Sequence, residues 1–322
     1  MKRVDLAVAC VPVVLVVAGA APAQTYPSKA VRIVVPYPPG GTSDILSRLL
    51  SPKLNETFGQ PIVVDNRPGA NGNIGAELVA KSAPDGYTLL LADLGALAIS
   101  PSIYKLSFHP AKDLAPVTMV AYSPHLLAVH PSVPVKTVKD LIALAKSKPG
   151  QLNFAVSSIG GATHLAGVAF EAQTGIKWTY IPYKGGSDAI IGLASGQADA
   201  IFNGMLATYP HVKSGKLKLI AVSSSKRVSA IPEVPTVAEA GLKDFETGTW
   251  QGVVTASGTP RDVITRLNGE IIKAFSTVEM KENLTKQGAE VYPMTPEQLG
   301  TWLGREIDKW AKVVKAANLK LE

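Results

Sequence analysis

Short apolar runs alternate along this chain with longer stretches whose apolar positions recur every three to four residues. VRIVV (31–35), PIVVDN (61–66) and YTLLLAD (87–93) predict strands. Between them, 43–58 and 73–82 carry helical periodicity, the first stopped by Gly59. The same order returns further on. LNFAVSS (152–158), IKWTYIPY (176–183) and ADAIFN (198–203) predict strands, with helices over 163–173, ending at Gly175, and 187–196. A β-α-β-α-β pattern thus occurs twice, about 120 residues apart, and predicts α/β architecture with parallel sheets. A proline-punctuated stretch (131–150) holds a short helix between the two runs. Strands near 119–130 and 249–257 are the natural crossings between two lobes, and 216–225 adds another strand. A second proline-rich segment spans 230–242, and amphipathic helices are expected at roughly 260–276 and 296–316.

The junctions from strand to helix are more elaborate than a connection requires. PYPPGGTSD (36–44) places two glycines and small polar residues between VRIVV and its helix. Gly40 and Gly41 have no Cβ, so a ligand can approach their backbone. A β-branched residue at Gly41 would block that approach and resist the positive φ expected there. Thr42 and Ser43 can cap the helix or turn a hydroxyl to a ligand, and Asp44 suits the first turn of a helix. The helix N-terminus adds unpaired N–H groups and partial positive charge, the ingredients of an anion site. SSIGGATH (157–164) repeats the device, with Thr163 as its expected cap. NRPGANGN (66–73) and PYKGGSD (182–188) form a second matched pair. Four such junctions at the carboxyl ends of parallel strands mark where an open α/β sheet binds ligands.

The N-terminus changes the picture of location. Lys2 and Arg3, an apolar stretch from Leu6 to Ala18 and APA at 21–23 form a signal peptide, with cleavage expected after Ala23. The apolar run is too short for a span and contains Pro12. Cys10, the single cysteine, lies within this leader, so the mature chain has neither disulfides nor a thiolate nucleophile. Export to the periplasm follows. Cleavage takes Lys2, Arg3 and Asp5 from the 32 basic and 25 acidic residues and leaves 30 and 24, a net +6. Basic residues form no run and aromatic content is 6%, which argues against a nucleic-acid groove, while a mild positive field favours a small anion.

Enzyme signatures are few. His109, His125, His130, His164 and His211 show no metal spacing, and there is no G-x-S-x-G elbow. No cofactor is expected. One catalytic reading stays open: a secreted hydrolase using His164 with Ser157 or Ser158.

VVPYPPGGTSDILSR, VVDNRPGANGNIGAELVAKSAPDGYTLLLA, NFAVSSIGGATHLAG, YKGGSDAI, GQADAIFN, IPEVPTVAEAGL and TGTWQGVVTASGTP together resemble the Bug or TctC-like periplasmic receptors of tripartite tricarboxylate transporters. The resemblance runs from about Tyr26 to the C-terminus. It implies a two-lobed, type II-like Venus-flytrap, each lobe a mainly parallel sheet flanked by helices. One lobe would comprise 24–124 and 247–322, the other 125–246. It implies a non-enzymatic, monomeric receptor that binds an organic carboxylate and passes it to transporter subunits or a sensor kinase. Carried over by position, first-lobe contacts fall on Tyr37, Gly41, Thr42, Asp44, Leu94 and Gly95. Second-lobe contacts fall on Ser157, Ser158, Thr163, His164 and Asn203, where the family often has an acid. Tyr37, Leu94 and Met205 would shape selectivity.

Overall fold

The computed structural model describes residues 26–316 and Leu319; the leader lies outside them. The first run is β1 (Val31–Val35), α1 (Thr42–Phe58), β2 (Ile62–Asn66), α2 (Asn73–Ala80) and β3 (Thr88–Asp93). One-turn helices α3 (Ser100–Ile103) and α4 (Pro110–Asp113) lead into β4 (Leu114–Val129), a strand of 16 residues. After α5 (Val138–Ser147) comes the second run: β5 (Asn153–Val156), α6 (Ala162–Thr174), β6 (Thr179–Pro182), α7 (Gly186–Ala194) and β7 (Ala200–Gly204). Then follow α8 (Met205–Lys213), β8 (Lys218–Val222), β9 (Gly248–Ala256), α9 (Arg261–Ser276), α10 (Val278–Lys286), β10 (Glu290–Val291) and α11 (Pro296–Ala316).

Both runs build the same three-stranded parallel unit with the first strand in the middle, β2-β1-β3 and β6-β5-β7. Antiparallel strands join the units along the path β3-β9-β4-β7. The long β4 does most of this. Its residues 114–124 pair with β9, its residues 125–129 with β7 and its residues 126–129 also with β8. The two expected crossing strands are therefore not equivalent. β9 pairs only with β3 and the first part of β4, so it belongs to the first sheet. The return crossing lies just before it, where Thr247 N–H donates to Ser223 O at 3.0 Å and Ser223 N–H to His125 O at 2.9 Å.

The inner strands β1, β3, β5 and β7 read as mainly apolar runs because both faces are covered. Val31, Ile33 and Val35 enter one core with Leu89 and Leu91, while Val34 and Leu90 enter the core on the opposite face. α1 supplies Leu46, Leu50, Leu54 and Phe58 to the first core, four residues apart and thus on one stripe. Fully burying one such leucine contributes about 1.5–3 kcal/mol. In the second unit Phe154, Phe170, Trp178, Phe202 and Phe245 form an aromatic core. These cores hold the carboxyl ends of β1, β3, β5 and β7 toward a common space.

Candidate functional site

α1, α6 and α7 begin after glycine N-caps, Gly41, Gly161 and Gly185, and none receives a side-chain cap. Their first-turn N–H groups are left for something else to satisfy. The three ends meet at one cavity of about 40 Å³, with Gly41, Thr42, Ser43, Ala162, Thr163 and Gly186 in its wall. Tyr37, Asp93, Ser157, Asn203 and Gly204 line it at strand ends, and His125, Thr249 and Gln251 form its floor on β4 and β9.

The junction after β1 is held open by its own side chains. Gly40 takes φ 83°, and its N–H donates to Asp44 Oδ2 at 2.9 Å. The positive φ expected at Gly41 is found instead at Gly40; Gly41 has φ −77°, and a Cβ there would lie 3.7 Å from Pro38 O. The turn reverses one residue earlier because Gly41 must enter the helix as its N-cap. Asp44 also accepts from Arg48 Nε at 2.9 Å and Asn66 Nδ2 at 3.0 Å. Burial raises the Asp44 carboxyl, but the Arg48, Gly40 and Asn66 donors outweigh it and hold the group below the usual carboxylate range. Asp44 thus braces the loop from outside the cavity wall.

Thr42 and Ser43 are the first two helical residues rather than caps. Thr163 is likewise not the cap of α6. Its hydroxyl accepts from Ser157 N–H at 2.8 Å and pairs with Ser157 Oγ at 2.9 Å, tying the helix start to the end of β5. His164 Nδ1 accepts from Gly160 N–H at 3.1 Å, and the ring stands edge-on to Tyr180 at 4.5 Å. Burial pushes its pKa down to about 4. Neither Ser157 nor Ser158 bonds this ring; Ser158 donates to Asn71 Oδ1. The hydrolase reading therefore has no nucleophile–base pair to start from.

Of the residues carried over from sequence, Tyr37, Gly41, Thr42, Ser157, Thr163 and Asn203 share the cavity wall. Asp44, Leu94, Gly95, Ser158 and His164 are not part of that lining. Leu94 and Met205 are buried in apolar clusters. Gly95 contributes its N–H to Asp93 Oδ1 at 2.8 Å. Asp93, His125, Gly186, Thr249 and Gln251 are lining residues that the pattern reading did not single out. Asp93 ends the run LLLAD, and a lone acid at a strand's carboxyl end is a signal that could have found it. The Tyr37 hydroxyl donates to Asp93 Oδ1. Burial pushes the Asp93 carboxyl up, against the pull of Tyr37 and the Ala96 and Gly95 amides.

The loops of the two units touch across the cavity. Ser158 bonds Asn71, and the Tyr104 hydroxyl donates to Ile159 O at 2.7 Å. A Cβ on Gly40 would lie 3.7 Å from Ser187 Cβ. This is a closed arrangement. Its 40 Å³ is about three times the ~10–15 Å³ that one water needs.

The tripartite tricarboxylate transporter family receptor model, TctC, matches residues 46–319. The chain belongs to this family. Protein BugT of Bordetella pertussis is 38% identical to this receptor over 95% of this chain and 94% of its own. Among solved structures, R. palustris Rpa4515 with adipate has a TM-score of 0.89 at 36% identity, covering 92% of this receptor and all of that chain. The periplasmic binding protein BugD has a TM-score of 0.88 at 33% identity over 92% of this receptor and all of that chain. Members of the family are periplasmic solute-binding proteins with a two-lobed fold, and this receptor has that fold. Among the described residues, no helix is long and apolar enough to cross a membrane.

Proposed function

We propose that the receptor binds a small organic carboxylate in the cavity between its lobes and presents it to membrane subunits of a tripartite tricarboxylate transporter. The observation that carries this reading is the convergence of three helix N-termini without side-chain caps on one enclosed space. Each contributes free N–H donors and partial positive charge, and a carboxylate satisfies both. Rpa4515, with a TM-score of 0.89, holds adipate, a carboxylate. One lobe consists of 24–124 and 247–322, the other of 125–246; the change of strand partners at His125 supports that division. The contacts across the cavity belong to the closed form, and ligand enters when they part. After cleavage at Ala23 the receptor works in the periplasm.

Thermal unfolding with a carboxylate panel tests the reading. A ligand bound only by the folded state stabilises it by about 2.7 kcal/mol at a hundredfold excess over Kd. One acid of the panel raises the Tm by several degrees; if only neutral sugars or cations do so, the proposal fails.

A further inference from the structure

The helix ends require an anion, but the cavity floor is built for something else. Gln251 is fully buried on β9; its Nε2 donates to Thr249 Oγ1 at 3.3 Å, and its Oε1 has no partner. His125, 1% exposed on β4, pairs through Nδ1 with Thr247 Oγ1 at 3.1 Å and leaves Nε2 without a partner. Asp93 faces the same space, and the Tyr37, Gly95 and Ala96 donors that reach it all fall on Oδ1, leaving Oδ2 available. Asn203 donates from Nδ2 to Thr208 Oγ1 at 3.1 Å, which leaves its Oδ1 as a further free acceptor beside those of Gln251 and Asp93. Buried acceptors without donors are costly, so a fully buried Gln251 Oε1 in a cavity wall implies a donor arriving from outside.

We infer that the ligand carries an O–H or N–H donor beside its carboxylate, a hydroxy or amino acid rather than an unsubstituted one. This rests on the carboxylate reading above and narrows it. Gln251 and Asp93 are the specificity-determining residues. An unsubstituted chain brings only C–H groups to them and removes their water without replacing it. A site built to hydrogen-bond a hydroxyl or amine rejects the analogue lacking it far more strongly than an apolar pocket rejects a missing methylene. His125 suits either donor, because the burial that pushes its pKa down to about 3 keeps the ring neutral and able to donate or accept.

Titration calorimetry of the mature protein with matched acids tests this. Three sets serve: succinate, malate and aspartate; glutarate, 2-hydroxyglutarate and glutamate; adipate, 2-hydroxyadipate and 2-aminoadipate. In the set whose length fits, a substituted acid binds at least tenfold more tightly than its plain counterpart. Gln251→Met brings the members within about threefold of one another, the substituted acid losing the most. Asp93→Asn, a second variant, keeps its oxygen on the Tyr37, Gly95 and Ala96 donors and turns an amide N–H toward the ligand, which separates the donors: it weakens an amino acid at least tenfold and a hydroxy acid, whose oxygen can accept from that N–H, by much less. If plain acids bind as tightly as substituted ones, or if both variants keep the full preference, the inference is overturned and the carboxylate reading stands. If no acid in any set binds, both fall.

Discussion

Gly161→Ala probes whether the closed arrangement is held by specific contacts. The residue is the N-cap of α6 with φ −84° and ψ 173°, a conformation alanine adopts without strain. Its added Cβ would lie 2.5 Å from Ser158 Oγ, 3.0 Å from Asn71 Oδ1 and 3.3 Å from Ser157 Oγ. The first two atoms are the partners that bond across the cavity, and Asn71 is itself anchored by its 3.0 Å bond to Ser100 Oγ. The methyl therefore breaks the link by displacing Ser158. One such net hydrogen bond contributes about 1 kcal/mol. That shifts the open–closed equilibrium about fivefold. Apparent affinity falls by up to the same factor, because ligand binds the closed state. Folding stability changes little. Alanine is a poorer N-cap than glycine by several tenths of a kcal/mol, and the lower entropy of its unfolded chain offsets this by about 0.4–1 kcal/mol. The assays are ligand titration, solution scattering and thermal unfolding on one preparation. A larger radius of gyration, weaker binding and a Tm near that of the wild type are expected. Ser158→Ala removes the obstructing oxygen, so the double variant is no worse than the worse single one. A folded Gly161→Ala protein with unchanged affinity and unchanged radius refutes the argument.

Three further outcomes follow from particular groups. His125 and His164 have pKa values pushed down by burial to about 3 and about 4, so below pH 6.5 the unfolded chain takes their protons first. Stability then falls as pH drops from 6.5 toward 4, by at most about 1.4 kcal/mol per pH unit for each ring; urea titrations of His164→Gln should show a shallower fall, and identical slopes would contradict it. Glu306 Oε2 accepts from both Trp250 Nε1 at 3.2 Å and Trp310 Nε1 at 3.1 Å, so Glu306→Met, which leaves the buried Trp250 N–H unpaired, should cost about 1–3 kcal/mol in urea unfolding. Protein recovered from periplasm should have an intact mass beginning at Gln24 and should not turn over chromogenic esters; a retained Cys10 would count against export with cleavage after Ala23, and turnover lost in His164→Ala against the receptor reading.

The repeated β-α-β-α-β units were legible because their inner strands β1, β3, β5 and β7 are buried on both faces, which writes each as a mainly apolar run, while the half-exposed outer strands β2 and β6 were read from their place in the order. The glycine-rich junctions were legible because a tight strand-to-helix turn needs residues that tolerate positive φ, as at Gly40. Their detail was not. Sequence cannot show which glycine becomes the N-cap, so Thr163 read as a cap when its hydroxyl ties back to Ser157. The floor escaped altogether. Gln251 and His125 lie inside apolar strands, where a polar side chain looks like an irregularity until its neighbours in space are known. Those neighbours come from β4 and β9, paired across more than a hundred residues of chain.

The pairing of β3 with β9 also sets an order of assembly. Leu89 to Asp93 find their partners in Gln251 to Thr255, among the last strands of the sequence. The second unit needs nothing so distant: β4 to β8 lie within residues 114–222. For a chain that emerges N-terminus first, that unit can complete itself while β3 still ends the first sheet as an open edge. Short loops close more readily than long ones, and open apolar edges recruit other chains. The interval between the emergence of Asp93 and that of Gly248 is therefore when a secreted chain of this topology is most exposed to aggregation, and when protection from a chaperone has most effect.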